Sequence, residues 1–299
     1  MTIRIALLAA ATLAALSQPA LAAQNISKRA TVAADVLVDV ENVQGRVDIT
    51  AWDRNEVELT AVLQSDKDQL EYEATGTTVR VKVTRPDRKF RGEDEDDAIL
   101  TLRVPRGARL EVDTVSADIK VDGIRGEQRI GTVSGALRTQ AFDEAVEVRA
   151  VSGDITVAGS GGKAAVRAES VSGTTVVDGI RGGFEGKTVS GDLRVTVEDA
   201  ARLRLGTVSG SIRAQAGLAA DARAELNSIS GEIDLRIKPP INAEFEIESF
   251  SGDIESCFGG KARARSKYGP GSELRMTQGS GSARVRIKSL SGDIDVCDR

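Results

Sequence analysis

Hydrophobic and polar residues alternate through most of this chain. From Val115 onward the alternation falls into a recurring phrase: an apolar residue, Ser, Gly and usually an acidic residue. The repeat serine falls at Ser116, Ser134, Ser152, Ser172, Ser190, Ser209, Ser230, Ser251 and Ser291, in steps of 18 to 21 residues with a double step at the end. A short fixed period marks a stacked repeat whose units bury their apolar sides only against their neighbours. The residue before the serine is apolar in all nine copies, and apolar residues return three and five positions after it, as in Ile155 and Val157. That is the period of two of a half-buried strand. A second alternation upstream, as in Val146 and Val148 or Phe245 and Ile247, gives each coil another short strand. The Ser-Gly pair is expected to form a corner that sets the register of the strand after it, with Gly tolerating the bend. No segment past residue 40 carries helical spacing, and Val, Ile and Thr in the apolar slots suit strands. The pattern predicts an all-β, single-domain β-solenoid: coils of about 18–21 residues, two short strands each, with apolar ladders about 4.8 Å per step forming the core. About ten coils would make a rod on the order of 45–50 Å long.

The repeat blurs at both ends. Val43 to Ile49 reads as a divergent corner, and three further strands follow at Val57–Val62, Thr78–Val83 and Ile99–Val104. A charge-dense loop from Arg85 to Asp97 separates the last two. Residues 23–106 are therefore expected to form an irregular β cap, with the solenoid repeats over 107–299, since an open end needs cover. In the double step, Ser272 to Met276 is expected to be the second strand of a degenerate coil. Residues 1–22 read as a signal peptide: Arg4, the apolar run Ile5 to Leu16, then Ala20-Leu21-Ala22, so that the mature chain begins at Ala23. That places the protein in the periplasm or outside the cell. No other stretch is long enough to cross a membrane as a helix.

The formal net charge of −5 argues against nucleic acid as a partner, because phosphate binding needs a basic surface. With no His in the chain, none of the nine serines has the usual base of a nucleophile. The hydroxyls before the phrase (Thr114, Thr132, Ser170, Thr188, Thr207, Ser228, Ser249 and Ser289) are expected to bond corner backbone. Asp118, Asp154, Asp192, Glu232, Asp253 and Asp293 share the slot after the repeat Gly. They read as a solvated acidic stripe, since the phrase lacks the nonapeptide of calcium-binding β-rolls. No metal, cofactor or catalytic residue is therefore expected. Aromatic residues are only 3% of the chain, with one Trp, so platforms for sugar rings are scarce.

Cys257 and Cys297 each lie six residues after a repeat serine. An oxidising compartment invites a bridge between them. If a full coil separated them they would stand about 9.6 Å apart, beyond disulfide reach. Three arrangements remain open: an excursion that leaves the two coils adjacent, free thiols, or a displaced last strand.

The phrases Val151-Ser152-Gly153-Asp154-Ile155, Val189-Ser190-Gly191-Asp192-Leu193, Phe250-Ser251-Gly252-Asp253-Ile254 and Leu290-Ser291-Gly292-Asp293-Ile294 resemble those of the bacterial putative-adhesin family, long catalogued as a domain of unknown function. The resemblance covers about residues 36–299, with Ala117 departing from a Gly slot. It implies a β-solenoid at the cell envelope and brings no active-site residues. The function expected is a non-catalytic envelope scaffold or adhesin whose partner is an envelope protein or glycan. The alternatives are a polysaccharide-binding or polysaccharide-processing β-helix protein, and a structural protein polymerising end to end.

Overall fold

The computed structural model of the chain describes residues 24–65, 67–85, 97–266 and 270–298. The expected signal peptide and most of the charge-dense loop lie outside these residues. Among them there is no helix, and the chain is a β-solenoid.

Each coil contributes one strand before the repeat serine and one after it, and the two sets build facing sheets. The first sheet runs, from one end to the other, through Gln69–Ala74, Thr78–Thr84, the start of Leu37–Trp52, the start of Arg109–Asp122, Gln128–Thr132, Val146–Ala150 and Ala165–Ser170. It continues through the ends of Thr175–Thr188, Leu193–Thr207 and Ile212–Ser228, then Ala283–Ser291, Ala243–Ser251, Ser272–Gln278 and Arg263–Ala264. The second sheet carries the strands after the corner in the same order. It begins with Gln24–Thr31, Glu56–Leu63 and Ala98–Pro105 and finishes with Ile233–Ile237, Ile294–Cys297 and Ile254–Ser256. The parallel part of each sheet is eleven strands deep, about 48 Å at ordinary strand spacing.

Alternation explains the core. In Val146–Ala150 every second side chain is buried, and in Ile155–Gly159 the first and third are buried. These inward residues stack into ladders, such as Ile119, Leu137, Ile155, Thr175, Leu193, Ile212, Ile233 and Ile294, all nearly inaccessible. Where Phe184 enters the core, the residue two on is Gly186, and a Cβ there would lie 2.9 Å from the Phe184 ring. Bulk at one position is offset by its absence at the next.

Both ends depart from simple sequential stacking. The first coil, Leu37–Trp52, pairs with Arg109–Asp122 on one side and with Thr78–Thr84 and Ala98–Pro105 on the other. The second coil is therefore outermost. The last coil is likewise tucked inside: Ala283–Ser291 lies between Ile212–Ser228 and Ala243–Ser251. The parallel stack thus reaches back to Leu37, and Gly45 sits opposite Ala117 in register. Ser272–Gln278, expected to be the second strand of a coil, is instead an antiparallel strand laid against Ala243–Ser251. Its own sequence alternates, so either pairing satisfies its pattern; the insertion of the last coil leaves the edge of Ala243–Ser251 as the place it can pair. That excursion makes the coils of Cys257 and Cys297 immediate neighbours. The two cysteines form a disulfide with Cα atoms 5.1 Å apart, which lies within the usual range for the bond.

Candidate functional site: the corner ridge

The corner is built the same way in coil after coil. The residue two before the repeat Gly is exposed in every coil and the serine beside it in all but one, where Ser172 is half-buried, so the alternation slips by one position there. The hydroxyl residue just upstream is buried, and in most coils it bonds corner backbone; the Ser228 and Ser289 hydroxyls, expected to do the same, are buried without a partner. Thr132, Thr188 and Thr207 accept the backbone N–H of Gly135, Gly191 and Gly210 at 3.0, 2.9 and 2.8 Å. Thr114 donates to the Ala117 carbonyl at 3.2 Å. Most of the corner glycines are needed for space and not for an unusual bend. A Cβ on Gly135, Gly153, Gly191, Gly210 or Gly231 would overlap the carbonyl oxygen of the corner residue in the preceding coil, and of these none has positive φ.

The acidic stripe has a structural task. In spatial order the slot after the corner glycine reads Asp118, Ala136, Asp154, Thr174, Asp192, Ser211, Glu232, Asp293 and Asp253, with acids alternating for most of its length. Carboxylates of Asp118, Asp154, Asp192 and Asp293 accept the backbone N–H of Ala136, Thr174, Ser211 and Asp253 at 2.9, 2.7, 3.0 and 2.9 Å. The Ser211 hydroxyl adds a bond at 2.8 Å, and these two bonds from Ser211 hold the Asp192 carboxyl below its ordinary value.

The consequence of the slip is a surface feature. The apolar residue before each serine stands out in solvent. In spatial order these residues are Val115, Val133, Val151, Val171, Val189, Val208, Ile229, Leu290 and Phe250, 39–52% exposed. They are the exposed large hydrophobic side chains of the described residues. The backbone beneath them is continuous: the N–H of each following serine bonds the carbonyl of the ridge residue one coil below, at 2.8 Å from Ser134 to Ser230 and again at Ser291. Half-exposed Val43 extends the line by one coil. The result is an apolar ridge one side chain wide, flanked by the column of repeat serines. Isolated exposed apolar residues are ordinary, and this contiguous line of them is not that pattern. Every residue of this ridge is visible in the sequence as the apolar residue before the repeat serine, but not the face it takes. The signal that separates it is the buried hydroxyl on one side and Ser-Gly on the other, which together shift the alternation.

Other potential sites are modest. Trp52, an obvious sugar platform, donates its indole N–H to the Glu56 carbonyl at 2.7 Å and stacks with Arg54. Cys257, Cys297 and Asp298 converge, but both sulfurs belong to the disulfide.

Residues 37–297 match the Toastrack DUF4097 family. A comparison with curated proteins returns no match. Among solved structures the chain is similar to a putative lipid binding protein from Parabacteroides distasonis ATCC 8503, at 13% identity and a TM-score of 0.52, covering 91% of this chain and 96% of that one. It also matches a putative cell adhesion protein from Clostridium sporogenes ATCC 15579, at 10% identity and a TM-score of 0.25, covering 92% and 99%. A putative adhesin from Bacteroides fragilis NCTC 9343 matches at 10% identity and a TM-score of 0.34, covering 91% and 97%. At 13% identity the first of these likenesses speaks to fold alone, and nothing is argued from the other two.

Proposed function

The chain belongs to the Toastrack DUF4097 family, and we propose that it is a non-catalytic scaffold of the cell envelope that docks a protein partner along the corner ridge. The ridge is the observation that carries this reading. It is apolar and uncharged, and it lines up nine copies of one contact. A sugar would seek a concave site with aromatic rings and converging polar groups. A protein can supply a complementary apolar groove, with the serine column offering hydrogen bonds at its rim. The signal-like N-terminus and the disulfide agree with an oxidising compartment. The adhesin reading of the family fits a surface built from repeated identical contacts, where weak single sites add up by avidity.

The test is site-specific photocrosslinking in the native cell, with the reactive group placed in turn at Val151, Val189 and, as a control on the outer face of the second sheet, Thr156. The expected result is one discrete protein adduct from both ridge positions and none from the control. No ridge adduct, together with saturable binding of the mature chain to peptidoglycan or another envelope glycan, would overturn the reading in favour of a polysaccharide receptor.

A further inference from the structure

The outer face of the first sheet carries its charges in register. One column reads Glu111, Arg129, Glu147, Arg167, Glu185, Arg204, Glu225, Arg286, Glu246 and Arg275 across successive strands. The signs alternate without a break, and pairs such as Arg204 with Glu225 at 3.2 Å and Arg286 with Glu246 at 2.6 Å close between coils. Opposite charges facing each other across strands stabilise a sheet, and like charges destabilise it.

Two residues upstream on the same face the rule fails. Arg202, Arg223 and Arg284 stand side by side on three consecutive strands. All three are exposed, and none has a carboxylate in ion-pair contact among the described residues. The tucked last coil creates this arrangement. With coils in chain order, the strand of Glu244 would take the place beside Arg223; the inserted strand brings Arg284 there instead. Glu244 is in register on the far side of Arg284 without closing an ion pair. Arg223 and Arg284 line a concavity of about 520 Å³ together with Arg275, Arg286 and Glu244, and Arg202 stands beside it on the next strand. The nearby acids Glu225 and Glu246 are already engaged by Arg204, Arg286 and Arg275.

We propose that Arg202, Arg223 and Arg284 form a binding site for a phosphate-bearing ligand. Strands lie about 4.8 Å apart, so neighbouring guanidinium groups reach one tetrahedral anion together. A carboxylate has two oxygens and is satisfied by one arginine fork. A phosphate has three free oxygens and close to two charges, and it suits a pair. Three arginines in line span roughly 10 Å, which accommodates two phosphate groups. The site lies on the sheet face, apart from the ridge, and does not depend on the ridge reading.

The test is calorimetric titration of the mature, disulfide-bonded chain with inorganic tripolyphosphate at low salt, alongside sedimentation with phosphatidic acid vesicles. The comparison is with Arg223→Gln/Arg284→Gln and with the control Arg213→Gln on the other sheet. Saturable binding to either probe that weakens at least tenfold in the double variant, but not in the control, is the expected result. The probe that binds tells a free phosphate from a lipid headgroup. Because the substituted residues are exposed and like-charged, the double variant should melt no lower than the parent, which separates lost binding from lost folding. Absence of binding to both probes at millimolar concentration, or equal affinity in parent and double variant, would overturn the proposal.

Discussion

At a corner, one methyl group decides whether two coils can stack. The carbonyl oxygen of Gly191 occupies the space where a Gly210 side chain would begin. Gly210→Ala is therefore expected to force the coils apart and to destabilise the protein by about 2–4 kcal/mol, in the range of severe steric insertions; urea unfolding would measure it. Thr175 presents the opposite case. It occupies a ladder slot where neighbouring coils carry Ile155 and Leu193, and its hydroxyl is buried without a partner. Thr175→Val keeps the shape and removes an unsatisfied polar group, so a gain of about 1 kcal/mol is expected by the same measurement. Asp192 links the corner to pH. Its folded-state carboxyl is held below the ordinary value by Ser211, so its contribution is present above the unfolded value near 4 and is lost as pH falls through the lower, folded one. The stability difference between the parent and Asp192→Asn should shrink over that acid window in denaturation series at successive pH values. A difference that is constant across the window would contradict this assignment.

At the scale of elements, the last coil matters most. Ile294–Cys297 lies between Ile233–Ile237 and Ile254–Ser256, and the Cys257–Cys297 disulfide fastens it to its outer neighbour. The bridge closes a loop with a sequence separation of 40. Removing it with Cys257→Ser/Cys297→Ser is expected to cost on the order of 2–4 kcal/mol by the loop-entropy argument. Hydrogen exchange should show where the loss falls: faster exchange in Ala243–Ser251, Ser272–Gln278 and Ala283–Ser291, with Val146–Ala150 unchanged. The ridge and the charged columns are also properties of elements, since each needs one residue from every coil in the same register. A slip of a single residue between two coils would turn ridge residues inward and break the alternation of charge.

For the whole molecule, the two tucked ends mean that neither terminal coil can dock until later or earlier parts of the chain have supplied both of its neighbours. A chain truncated after residue 282 lacks the strand between Ile212–Ser228 and Ala243–Ser251. It would expose two unpaired edges, and it should aggregate on size-exclusion chromatography where the parent runs as a defined species. A discrete, fully folded truncated chain would show that the tucked coil is dispensable. The architecture itself was legible because it rests on local chemistry: period-two apolar slots, a turn phrase every 18 to 21 residues and no helical spacing leave little besides a stacked coil. Residue content also sufficed to find the corner serines, the ridge residues and the two cysteines. Their placement was decided by tertiary structure. Whether Val151 faces in or out depends on a one-residue slip held by buried hydroxyls and by the close approach of corner glycines in successive coils. Whether Cys257 meets Cys297, and Arg223 meets Arg284, depends on which coil lies beside which. Stacking order is a long-range choice among coils that look alike in sequence, and edge pairing, charge register and the crossing of the final chain segment settle it.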